Sequence, residues 1–119
     1  MQLHDVRARL LALPGATPTY PFGPQPLVVK VMGKMFALLD ETGEPLSVSL
    51  KCEPAHAQFL RDSFPAVTPG YHLNKQHWNT VLLDGSIPAE GIQSMIEESY
   101  RLVVAGLSRA ARAQLGGDA

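Results

Sequence analysis

Few side chains in this 119-residue sequence have the type and spacing that bond-making or metal chemistry requires. His72 and His77, with Asn74 and Asn79, share one strand face if Asn74 lies opposite His77, and two imidazoles so placed can ligate a metal. A complete site needs about three or four donors. The nearest carboxylate in sequence is Asp84, so the group reads as a solvated polar face and no metal is expected; His72 and His77 would be the first ligands to test. His4 and His56 fall on expected helices as surface or capping residues. Cys52 follows Lys51, and a nearby cation can lower a thiol pKa. No histidine stands at a spacing recognisable as a nucleophilic pair, so Cys52 reads as an inert, half-buried residue. Ser99 sits inside an apolar helical stripe, away from any strand-to-helix elbow that would present a nucleophile, and is expected to bond backbone or to pack closely. Neither GxGxxG nor GxxxxGK[ST] occurs, so no nucleotide cofactor is expected, and nothing supports an enzyme.

What remains is a set of single cations. Lys34 and Lys75 fall at two expected hairpin tips, and Lys30 and Lys51 on strands between helices. A narrow hairpin with a basic end reaches phosphates, while polar neighbours such as His72, Asn74 and His77 reach base edges. The plain alternative is that lysines at tips keep turns soluble.

The elements that must hold these residues follow from periodicity. Leu3, Val6, Leu10 and Leu13 mark one face of a first helix ended by Pro14-Gly15. Residues 16–26, with four prolines, read as an extended coat over the core. Leu27 to Leu39 is apolar and interrupted at Gly33-Lys34, which predicts a hairpin with Val29, Val31, Phe36 and Leu38 on the core face and Met32, Met35 and Leu39 on the other. Leu46, Val48 and Leu50 alternate with Ser47, Ser49 and Lys51 as a third strand with one wet side. Glu53-Pro54 opens a second helix, with Ala55, Phe59, Leu60 and Phe64 as its apolar contacts, and Pro65 stops it. Tyr71 to Asn74 and His77 to Leu83 predict a second hairpin around Lys75-Gln76. A long helix follows Pro88 with the stripe Ile92, Met95, Ile96, Ser99, Leu102, Val103 and Leu107, and residues 109–119 are expected to fray. The order predicts a single α+β domain over residues 1–108, a two-layer sandwich with helices packed on one face of an antiparallel sheet.

Composition bounds the rest. Hydrophobic residues make up 45% and charged residues 18%, with a mean hydropathy of +0.01, which excludes a disordered chain. Ten Lys and Arg against eleven Asp and Glu give a net charge of -1, so a nucleic-acid partner would have to be held by a local patch. One cysteine excludes an internal disulfide, and the lack of a long apolar run or leader pattern points to a cytoplasmic protein.

The blocks Leu13-Pro14-Gly15, Phe22-Gly23, Val29-Lys30-Val31-Met32-Gly33-Lys34-Met35-Phe36-Ala37, Leu46-Ser47-Val48-Ser49-Leu50-Lys51, Gly70-Tyr71-His72-Leu73-Asn74-Lys75, His77-Trp78-Asn79 and Glu98-Ser99-Tyr100 together resemble the MmcQ/YjbR family. The resemblance spans about Leu10 to Leu107 and implies a frataxin-like (CyaY-like) fold. It also implies DNA binding through a "double wing", here the hairpins tipped by Lys34 and Lys75. Phe22-Gly23 stands where relatives often have Trp-Gly, and the net charge mutes the family's basic character. A second class of function is a protein-interaction module using an open sheet face of Met32, Met35, Leu39 and Trp78.

Overall fold

The computed structural model describes residues 2–116. Four helices, α1 (Leu3–Leu11), α2 (Pro54–Ser63), α3 (Ala89–Ala105) and α4 (Arg109–Gly116), accompany six strands: β1 (Ala16–Thr19), β2 (Leu27–Val31), β3 (Lys34–Asp40), β4 (Ser47–Lys51), β5 (Val67–Pro69) and β6 (Trp78–Leu82). The strands form one antiparallel sheet in the order β1-β2-β3-β4-β6-β5. The α+β sandwich expected from the element order is therefore observed.

Alternation decides which side of the sheet is covered. Leu27, Val29 and Val31 of β2, Ala37 and Leu39 of β3, Val48 and Leu50 of β4, and Val81 of β6 join one apolar cluster with Val6 and Leu10 of α1, Ala57 and Leu60 of α2, and Ile92, Met95, Ile96 and Val103 of α3. The opposite face carries Thr17 opposite Lys30, Thr80 opposite both Ser49 and Thr68, and Lys51 opposite Trp78. Both edge strands contain a proline, Pro18 in β1 and Pro69 in β5.

Several expectations are corrected. The first hairpin turns at Met32-Gly33, one residue earlier than predicted, with Val31 opposite Lys34 and positive φ at both central residues (49° and 81°). That is the twist-matched turn of a two-residue hairpin. A bulge between Val29 and Lys30 in the β2–β3 pairing leaves both Phe36 and Ala37 buried and shifts the facing, so Leu39 points into the core and Leu38 does not. Residues 16–19 are a strand, because Thr17 and Thr19 supply β propensity and Pro18 is tolerated at an edge. Phe59 lies on the outer face of α2 and is 62% exposed. Residues 109–116 form a helix where fraying was predicted, and Leu115 packs on the core. Gly15 takes a φ of +76° beneath that helix, and a Cβ there would collide with the Leu115 side chain.

The second hairpin also differs. Its outer strand is Val67–Pro69, and residues 70–77 are a loop. His72, Asn74 and His77 therefore sit on a connection and not on strands, and Lys75 lies in that connection, because His72 adopts a left-handed φ of 60° and Asn74 Oδ1 accepts from the Gln76 backbone N–H at 2.9 Å, both features of turns.

Candidate functional site

Antiparallel pairing sends the β2–β3 turn, the last residue of β4 and the β5–β6 loop to the same end of the sheet. Lys34 stands beside the turn, Lys30 opposite Met35 just below it, Lys51 at the end of β4 and Lys75 in the loop. Lys34 and Lys75 are exposed, and Lys30 and Lys51 are half-buried. Among the described residues no lysine ammonium is paired with a carboxylate. The two projecting connections are separated by three strand spacings in the sheet order, roughly 14 Å. Helix α4, with Arg109 and Arg112 and no acidic residue, rests Leu115 near Gly15 and Val31 at this same end. These two arginines were lost to the sequence reading, which treated the segment as a tail.

The loop is fixed from beneath. Arg61 of α2 donates from Nε to Asn79 Oδ1 at 2.7 Å and from its terminal nitrogen to the Lys75 carbonyl. Asn79 is only 2% exposed and donates to the Ala57 carbonyl, so it faces the helices and does not belong to the polar face predicted for it. Lys75 Nζ donates to the Gly70 carbonyl at 3.1 Å, and Gly70 lies so close to Trp78 that a Cβ would fall 2.7 Å from that residue's Cβ. Above this base Tyr71 is 73% exposed, its ring 4.0 Å from that of His72. His77 is half-buried, and its carbonyl accepts from Cys52 N–H at 2.8 Å. The polar pair His72 and His77 thus never forms one strand face.

The apolar open face predicted for a protein partner is not assembled either. Leu39 is fully buried in the core, Met32 packs against that core, and Trp78 is only 8% exposed.

A second constellation is one the sequence reading missed. Cys52 follows β4, His56 lies in the first turn of α2, and Glu98 lies on α3. The Cys52 thiol donates to Glu98 Oε2 at 3.3 Å, its sulfur lies 3.6 Å from His56 Nδ1, and His56 Nδ1 donates to Glu98 Oε1 at 2.7 Å. Each member is held independently. Glu98 Oε2 also accepts from the Glu53 backbone N–H, the Glu53 carboxylate caps α2 by accepting from Ala55 N–H and His56 N–H, and the His56 ring stacks on Phe59. Those capping bonds hold the Glu53 carboxyl below its ordinary pKa. Burial, the hydrogen bond to Glu98 and its negative charge push the Cys52 thiol up to about 12, so it is a protonated donor. The spacing of Cys52 and His56 was visible in the sequence, but Glu98 is 46 residues from Cys52 and nothing local announces it.

A family model described as YjbR matches residues 11–102. The chain is 36% identical to the uncharacterized protein YbdF of Escherichia coli O157:H7 over 108 residues, covering 90% of this chain and 88% of the relative. It is also 36% identical to YjbR of Escherichia coli K12 over 104 residues, 87% of this chain and 88% of the relative. Among solved structures, a Deinococcus radiodurans protein with the domain DUF419 superposes with a TM-score of 0.90 at 42% identity, covering 97% of this chain and 88% of that one. A Pseudomonas syringae protein superposes with a TM-score of 0.75 at 30% identity, covering 86% of this chain and 98% of that one. A family match that takes in all six strands and the blocks that surround Lys34, Lys51 and Lys75, joined to a shared fold at 42% identity, places the chain in the YjbR family.

Proposed function

We propose that this protein is a non-enzymatic, cytoplasmic domain that binds nucleic acid weakly, DNA in the first instance, at the end of the sheet where the lysines gather. The observation that carries this reading is that Lys30, Lys34 and Lys51, on three strands, and Lys75, on the β5–β6 loop, lie toward one end of a molecule whose net charge is -1. A local cluster of unpaired cations on a neutral background is an electrostatic footprint for phosphates. The roughly 14 Å between the two projecting connections is comparable with the roughly 12 Å width of the DNA major groove. Exposed Tyr71, beside His72, offers an aromatic face to an unstacked base. Binding without catalysis is consistent with the protonated thiol, which is no nucleophile at neutral pH.

If each of the four lysines meets one phosphate, log K against log salt has a slope of about -3.6, from about -0.9 per contact. Affinity at physiological salt should be on the order of 10⁻⁴ to 10⁻⁶ M with little sequence preference. Fluorescence anisotropy of a labelled duplex at several salt concentrations tests this. Lys34→Ala and Lys75→Ala should each shallow the slope by roughly one unit without altering preference among sequences. Absence of binding at low salt, or a double variant that binds as the parent does, overturns the reading.

A further inference from the structure

We propose that Cys52, His56 and Glu98 form a site for a divalent cation of borderline softness, zinc in the first instance. This goes beyond nucleic-acid binding and does not depend on it. Sulfur, imidazole nitrogen and carboxylate oxygen are the donor types zinc takes, and three protein ligands with one open position is a recurrent zinc arrangement. Tetrahedral bonds of the usual lengths put the donors roughly 3.4 to 3.6 Å apart. Here the sulfur lies 3.6 Å from His56 Nδ1 and 3.3 Å from Glu98 Oε2, and the other carboxylate oxygen, Oε1, lies 2.7 Å from His56 Nδ1. One ligand atom from each of the three residues lies within 4.8 Å of the other two, so an ion is reached once the His56–Glu98 hydrogen bond opens and the carboxylate turns a single oxygen to it.

The surroundings suit a cation. Cys52 is 5% exposed and the Glu98 side chain 16% exposed, whereas the His56 side chain is 43% exposed and gives a path of entry. A groove of about 340 Å³ opens beside His56 and Glu98, lined also by Leu60, Phe64, Pro88 and Ser94, and leaves room for water at a fourth position. The ligands are oriented from outside the cluster by the Glu53 N–H on Glu98 and the first turn of α2 under His56. The Glu53 carboxylate at the start of α2 offsets the positive end of that helix, which would otherwise repel a cation.

Binding is a proton exchange. The Cys52 S–H bond breaks as the Zn–S bond forms, and that proton passes to buffer. The proton on His56 Nδ1 moves to Nε2, so the ring stays neutral and supplies its Nδ1 lone pair. Thiolate and carboxylate together balance the 2+ charge of the ion.

The test uses the full chain with zinc chloride by calorimetry in two buffers of different ionisation enthalpy, and with cobalt(II) as a spectroscopic probe. The expected result is one ion per chain, about one proton released per ion, and a thiolate-to-cobalt charge-transfer band in the near ultraviolet. Cys52→Ser should abolish that band, and Cys52→Ser and Glu98→Gln should each weaken zinc binding by on the order of 10-fold or more. The double variant His72→Ala/His77→Ala should bind as the parent does. Circular dichroism confirms folding, and the isosteric Glu98→Gln serves if Cys52→Ser does not fold. Absence of saturable binding, binding without the thiolate band, or binding lost on replacing His72 and His77 and retained in Glu98→Gln overturns the proposal.

Discussion

A thiol with a pKa of about 12 is kept from reaction by the neighbours that bring it into a cluster. Because thiolate is the nucleophile, Cys52 in metal-free protein should react with iodoacetamide at pH 8 far more slowly than a free cysteine, by on the order of 10²-fold or more. Glu98→Gln removes the negative charge that raises the pKa and should speed alkylation, which mass spectrometry over time would measure. The linkage has a definite sign. The thiol binds its proton more tightly folded than unfolded, so its contribution to stability is complete below pH 9, the ordinary value, and is lost as pH rises toward about 12. In the sequence Cys52 has a cation before it and a histidine four residues after it, and reads as inert for want of a recognisable partner; what raises its pKa was not legible there. Burial and a carboxylate from a distant helix set it, and neither is a property of the local sequence.

Secondary elements are joined here by a few hydrogen bonds that the strand ladder leaves unmade. Past the bulge at Phe36, Ser99 of α3 takes over: its hydroxyl accepts from Lys51 N–H at 2.8 Å and donates to the Phe36 carbonyl at 2.5 Å, with no exposure to solvent. Replacing it with alanine leaves a buried donor and acceptor unpartnered and should cost about 1 to 3 kcal/mol, read as a lower urea midpoint with an unchanged slope. Ser99 was legible as a backbone-bonding residue, since a hydroxyl within an apolar stripe has little else to do. The helices were legible too, α3 from its stripe and α2 from Glu53-Pro54, whose carboxylate caps it. The bulge was not, because one extra residue leaves the same alternation of types on either side of it and only the pairing reveals which side faces the core. The second connection was misread for a similar reason: Tyr71 to Asn74 has strand-like composition, yet Asn74 and a left-handed His72 close it into turns.

On the scale of the whole molecule, charge is arranged by topology. A net charge of -1 hides an end where the lysines of β2, β3, β4 and the β5–β6 loop converge, and no count of residues could show that convergence before the strand order was known. Helix α4 lies at this end and contributes Leu115 to the core, so a chain truncated after Ser108 should be destabilised by about 1 kcal/mol, seen as a lower midpoint in thermal unfolding followed by circular dichroism. A last consequence follows from the two edge prolines. A sheet has two outer strands, and any outer strand can template the addition of another chain. Here β1 and β5 each lack one N–H, at Pro18 and Pro69, and β5 is only three residues long. A passing strand finds a broken ladder on either side, so the protein can reach high concentration without its sheets joining into a fibre.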